Sequence, residues 1–399
     1  MAPVVSNEAQ IRGARRAVAA LFLTNGALFA NLAPRLPEIK ADLALSNTAY
    51  GTVIAAYPIG ALAAGLAAAA LIRRLTSARL AVLGTAGIAL LTFAAAASPT
   101  TLLVAVALFA GGACDAVVDV AQNTQGLRVQ RAHGRSIINS LHGIWSLGAV
   151  LGSVMAAGAI AFHVPRELHI GATGVLFVGV AVTAYRYLLH GPDAVEDEHD
   201  PVNGRRGRGA GRRVYLTLTL LVVIATAGSV VEDAGSSWAT LYLRDDLGAA
   251  GGVAVLGYVA LLAFQFVGRM TGDRLVDRFG ERAVARAGGS ITAAGMGAAL
   301  LFPSVPSTIA GFAAAGIGIA TVIPAAMHAA DRLPGLRAGS GLTAVAWLMR
   351  LGFVAAPPVV GAIADATSLR IGLLVVPAAG LAVIAAAGAL SGRRPPTRS

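Results

Sequence analysis

The chain has 399 residues, of which 56% are hydrophobic and only 13% charged, so it lacks the charged surface that a soluble enzyme of this size carries. Its net charge of +11 would point to nucleic acid in a soluble protein. Here the basic residues sit in short stretches between apolar runs, where they set topology, and no nucleic-acid partner is expected. Cys114 is the single cysteine, so an internal disulfide is excluded and neither a metal site nor a cofactor is expected.

The apolar runs are about 20 residues long, enough to cross a bilayer as helix. Twelve are read, at 14–33, 50–72, 80–97, 102–126, 136–162, 170–189, 214–243, 253–270, 287–302, 308–329, 339–364 and 369–390. The opening MAPVVSNEAQ has no basic and apolar leader pattern, so no cleavable signal is expected. Residues 34–47 are polar and Pro-broken and read as a loop, and 271–286 as a charged loop. Span seven carries Trp238 near its outer end, which reads as part of an interfacial belt.

The run 191–213 is acidic and then basic and reads as a cytoplasmic linker between six-helix bundles at 1–190 and 214–399. Five basic residues (Arg35, Lys40, Arg166, Arg244 and Arg370) fall in segments placed outside. Apart from Arg350, the rest of the 31 fall inside, so both termini are expected in the cytoplasm and the protein in the cell membrane. The fold class is an all-α polytopic membrane protein, with twelve transmembrane helices in two pseudo-symmetric bundles. Spans five and eleven align weakly, with Gly148 opposite Gly352, and such internal duplication is common in secondary transporters.

Ionisable groups in hydrocarbon cost at least roughly 2.5 to 3.5 kcal/mol each, so several on neighbouring spans imply a shared polar cavity. Asp115 and Asp119 share a face of span four, and Asn123 continues it. Span five brings Asn139, His142 and Trp145, with His142 at a depth similar to Asp119. A carboxyl and an imidazole so placed would relay protons or clamp a solute; a static polar lock is the competing reading. In the second half, Glu232 and Asp233, also candidate proton-coupling groups, point to different sides of span seven, so at most one faces the cavity squarely, and Gln265 lies on span eight. Arg350 sits near the middle of span eleven and requires a carboxylate, most simply Glu232 or Asp233 and next Asp115. Asn25, Asn123, Asn139, His142, Trp145, Gln265, Trp347 and Arg350 are the candidates for binding a solute, since an aromatic face with nearby amides suits a sugar ring. The turn at Asp277, Arg278, Gly280 and Arg282 places an acid near a helix start, where it would act as a gating latch.

These residues resemble the major facilitator superfamily. GRMTGDRLVDRFGERAVAR is similar to the signature between the second and third helices of each half, with Asp277, Arg278, Gly280 and Arg282 matching its D-R-x-G-x-R pattern. The first-half equivalent LIRRLTSARL keeps Arg74 and Arg79 but lacks the acid and the glycine. Asp119-x-x-x-Asn123, HGRSIINSLHGIWSLG and VVEDAGSSWATLYL resemble the sugar-permease-like branch that includes fucose permeases. That resemblance implies a proton-coupling role for Asp119; the branch's acid on the first helix is absent, and Asn25 and Asn31 are the polar groups there. The expectation is a monomeric secondary transporter, a proton symporter for a small polar solute such as a sugar or polyol. The alternatives are an exporter of amphipathic molecules and a transporter-like sensor without turnover. No Walker loop, H-E-x-x-H or G-x-S-x-G occurs, so no enzyme is expected.

Overall fold

A bilayer offers backbone groups no partner, so apolar runs of this length satisfy themselves as helices. The computed structural model describes residues 8–65, 67–191, 193, 211–336 and 339–391. In chain order its long helices are α1 (Glu8–Leu32), α2 (Asn47–Gly65, continuing as Ala68–Leu75), α3 (Ser77–Ala96), α4 (Thr101–His133), α5 (Ile138–Ala161) and α6 (Arg166–Tyr185). The second half follows with α7 (Arg212–Leu241), α8 (Leu256–Phe279), α9 (Glu281–Leu301), α10 (Val305–Ile319, continuing as Val322–Asp331), α11 (Ser340–Ala366) and α12 (Val375–Ala386, preceded by Leu369–Gly372). Ten of these stretches are long and apolar enough to cross a membrane. The other two are α2, and α9, whose first turns carry Glu281, Arg282 and Arg286.

Two compact units form: Met1–Leu45 with Val53–Val195, and Ser46–Thr52 with Glu196–Ser399. Of the expected linker, residues 192 and 194–210 lie outside the described residues.

Glycines let helix backbones meet within each unit. A Cβ on Gly26 of α1 would sit 2.1 Å from the Trp145 carbonyl oxygen of α5, and one on Gly60 of α2 would sit 1.8 Å from that of Phe109 on α4. Gly148 packs on α1 at Leu23, and Gly352 packs on α7 at Ser229 and Thr226, so the two aligned glycines occupy corresponding contacts in their units.

Three joints recur in both units. Helices α2 and α3 are joined at Thr76, with φ 68° and ψ 150°, and α8 and α9 at Gly280, with φ 85° and ψ 152°. Arg166, at the start of α6, donates from Nε to the Ala96 carbonyl at the end of α3. Arg370, just before α12, donates in the same way to the Leu300 carbonyl of α9. At the opposite end of α3, Asp193 accepts from the Ser77 amide and hydroxyl, each at 2.6 Å, and from Arg128 at 2.7 Å. At the start of α9, the Arg282 amide donates to the Ser391 carbonyl, and its guanidinium to those of Leu390 and Gly388.

Several expected boundaries are corrected. The loop expected at 34–47 holds a 3-10 turn at Ala33–Arg35 and a helix at Leu36–Asp42. Pro34 and Pro37 fall in first turns, where a missing N–H removes no hydrogen bond. The charged loop expected at 271–286 shrinks to Gly280, because its charged side chains continue the helices on both sides. Helix α4 runs through the expected basic turn to His133 and stops at Gly134 in the left-handed conformation. Trp238 is no interfacial belt residue: it is 0% exposed and meets the Tyr50 ring edge-on at 5.2 Å.

Candidate functional site

In the first unit, one amide ties three helices together. Asn25 on α1 is 8% exposed. Its Nδ2 donates to Asp115 Oδ1 on α4 at 2.8 Å, and its Oδ1 accepts from the Trp145 indole on α5 at 2.7 Å. The Tyr57 hydroxyl of α2 also bonds Asp115, and Asp119 is a neighbouring charge. No basic side chain among the described residues pairs with Asp115. The close glycine contact of α1 with α5 brings Trp145 within reach of Asn25. An amide is the side chain that can both donate to a carboxylate and accept from an indole.

Asp119 lies one turn further along α4 and is exposed, as is His142. Asn123 Nδ2 donates to Asp119 Oδ1 at 3.0 Å, as the four-residue spacing allows. The His142 ring meets Phe22 edge-on at 5.4 Å. The side chain of Asn139 lies outside the described residues.

In the second unit, the adjacent acids Glu232 and Asp233 of α7 have different surroundings. Glu232 Oε2 accepts from Gln265 Nε2 on α8 at 3.1 Å and lies 3.9 Å from the Arg269 guanidinium. Asp233 is 6% exposed; its Oδ1 accepts from the Ser237 hydroxyl one turn on, and its Oδ2 has no partner among the described residues.

Arg350 does not take the expected carboxylate. It is exposed and forms no ion pair with a described residue, because Glu232 faces α8 and pairs with Arg269. Trp347, one turn before Arg350, is 45% exposed. The expected latch also differs. Asp277 lies in the last turn of α8 rather than at a helix start, and it is exposed without an ion pair among the described residues. Arg278 lies over the Phe279 ring, and Gly280 supplies the positive φ of the joint.

The sequence reading missed two groups. Arg269 was the cation for Glu232, and its position one turn after Gln265 was the available signal. Arg35 is 3% exposed: it donates to Glu38, to the Val164 carbonyl and, at 3.4 Å, to His169 Nδ1. His169 Nε2 in turn lies 2.9 Å from Asn31 Oδ1. No cluster of three His, Cys, Asp or Glu placed to hold a metal occurs among the described residues.

Twelve helices in two repeated units, ten of them in stretches long and apolar enough to cross a membrane and with ionisable side chains along them, define a polytopic membrane protein. The profile of the Major Facilitator Superfamily matches residues 18–274 and 220–399, and the chain belongs to that family. It is similar to the "Uncharacterized transporter y4wD" of Sinorhizobium fredii, with 30% identity over 362 residues covering 90% of this chain and 94% of the relative. Among solved structures it resembles a point mutant of the nucleoside transporter NupG, with a TM-score of 0.75 and 12% identity over 94% of this chain and 98% of that one. It also resembles FucP in the outward conformation, with a TM-score of 0.62 and 18% identity over 94% of this chain and 97% of that one. The chain is a multi-pass membrane transporter and not an enzyme.

Proposed function

We propose that the protein moves a small polar solute, of the sugar or polyol class, across the cell membrane by alternating access coupled to protons, with both termini in the cytoplasm. The observation that carries this reading is the pair of carboxyls within the helices, half-buried Asp115 and buried Asp233, neither of which forms an ion pair with a described basic side chain. A fixed negative charge without a cation is costly in such surroundings, whereas a carboxyl that gains and loses a proton is suited to them. In this reading Asp115 exchanges the proton in the first unit, with Asp119 as its more exposed neighbour. Asn25, Asn123, Asn139, His142 and Trp145 supply polar and aromatic contacts to the solute. In the second unit Glu232 and Gln265 bind solute beside Arg269, Asp233 is a second proton group, and Trp347 and Arg350 add an exposed ring and cation. The polyol class rests on the resemblance to sugar permeases and on this mixture of amides and rings.

The test is purified protein in liposomes loaded with a pH dye and challenged with sugars and polyols. A solute-evoked pH change that is lost in Asp115→Asn supports the reading. A change that survives in Asp115→Asn and is lost in Asp119→Asn or Asp233→Asn moves coupling to that group. Silence across the panel, with inserted and folded protein, overturns the polyol class.

A further inference from the structure

Asn25 stands between two groups of fixed hydrogen-bonding character. An ionised carboxylate only accepts, and an indole N–H only donates. The amide therefore has one orientation that satisfies both, Nδ2 toward Asp115 and Oδ1 toward Trp145, and this is the orientation found, at 2.8 and 2.7 Å. Turning the amide over would set a carbonyl against a carboxylate and an NH2 against an indole N–H, breaking both bonds at once.

We infer that Asn25 is a relay through which the protonation of Asp115 sets the hold on Trp145. The inference deepens the proposed function and rests on Asp115 as its proton-exchanging group. A hydrogen bond to an ionised acceptor is roughly twice as strong as a neutral one, so a proton on Asp115 weakens the bond that fixes the amide. If the proton resides on Oδ1 and its O–H points at Asn25, the amide satisfies that donor by turning its carbonyl away from Trp145 and toward Asp115. The indole N–H then has no acceptor in the network and becomes available to a solute oxygen. With Asp115 ionised, the amide is held, the indole N–H is occupied, and that donor is withdrawn from the solute. One proton on α4 is thereby read out as one hydrogen-bond donor on α5, through an amide on α1 that never changes charge.

The groups that bear on Asp115 are Asn25 from α1, the Tyr57 hydroxyl from α2, and Cys114 and Asp119 on α4 itself; Trp145 of α5 reaches it through Asn25. Asp119 is the other titratable carboxyl of the set and provides the control. Sequence spacing does not reveal the relay, because Asn25, Asp115 and Trp145 come from three separate spans.

The experiment follows Trp145 emission across roughly pH 5 to 9 in the full-length protein without solute. It uses a Trp238→Phe, Trp347→Phe background, or equally the difference between wild type and Trp145→Phe should the background variant fail to fold. The expected result is a single pH-dependent change in Trp145 emission, abolished in Asp115→Asn, abolished in Asn25→Leu, and retained in Asp119→Asn. Iodide quenching of Trp145 should rise as the pH falls through the same interval. A flat Trp145 signal in folded protein overturns the relay, as does a change that survives in Asp115→Asn. A change that is lost in Asp119→Asn but kept in Asp115→Asn overturns it as well. The readout needs neither solute nor a vesicle gradient, so failure of the relay and failure of proton-coupled transport are separate results.

Discussion

Replacing Thr76 with glycine should stabilise the protein, although it removes a side chain from a half-buried position. At φ 68° and ψ 150°, Thr76 occupies backbone space that is almost exclusive to glycine and costs other residues about 1 to 3 kcal/mol. The hydroxyl makes no capping bond to α3, so little is lost with it. Against the relief stands the added freedom of glycine in the unfolded chain, about 0.4 to 1 kcal/mol. The balance is a gain of about 1.3 kcal/mol at mid-range, between roughly 0 and 2.6, and at roughly 2 to 4 °C per kcal/mol for a unit of this size the Tm should rise by a few degrees. The reverse exchange, Gly280→Thr, places a β-branched residue at φ 85° and should lower the Tm by a similar or larger amount. Circular dichroism melts of both variants in one detergent measure this. A Tm that falls in Thr76→Gly, or holds in Gly280→Thr, would refute the argument that the two joints share one backbone requirement.

Three further outcomes are expected. Glu232→Gln and Arg269→Gln should each lower solute uptake in liposomes, and the double variant should lose less than the sum of the two, because the groups 3.9 Å apart act as one unit. Arg35→Met should destabilise by about 3 kcal/mol, since it strips Glu38 and His169 of a buried partner; a thermal melt unchanged from wild type would contradict this. Gly60→Leu should prevent α2 from meeting α4, where even a Cβ would stand 1.8 Å from a carbonyl oxygen, and should abolish the monodisperse peak in detergent gel filtration.

The spans were legible because a bilayer imposes one length and one composition on every crossing, and each of the twelve apolar runs became a helix. Their ends were not legible. Arg and Leu favour helix well enough to carry it beyond the hydrocarbon, so Arg274, Leu275 and Arg278 extend α8 where a loop was expected. The candidate site divided in the same way. Composition marked Asn25, Asp115, Trp145, Glu232 and Gln265 as out of place in lipid, but not which would touch which. Arg350 seemed to need a counter-ion because depth along a span was visible and helix rotation was not; the structure leaves it exposed. Arg269 and Arg35 were hidden for the opposite reason, since both stood near segments read as loops and were credited to topology.

The arginine caps at the ends of α3 and α9 bear on the choice of membrane. A helix of 20 residues such as α3 is about 30 Å long, close to the hydrocarbon thickness of an average bilayer. A single-residue joint fixes one end, and Arg166, bound to the Ala96 carbonyl at 2.7 Å, closes the other. Both ends are held, so mismatch is met by tilt of the helix or by the bilayer, which thins or thickens at a cost of fractions of a kcal/mol per Å. Each half therefore carries its own ruler, and the protein should work best in lipids whose acyl chains match it.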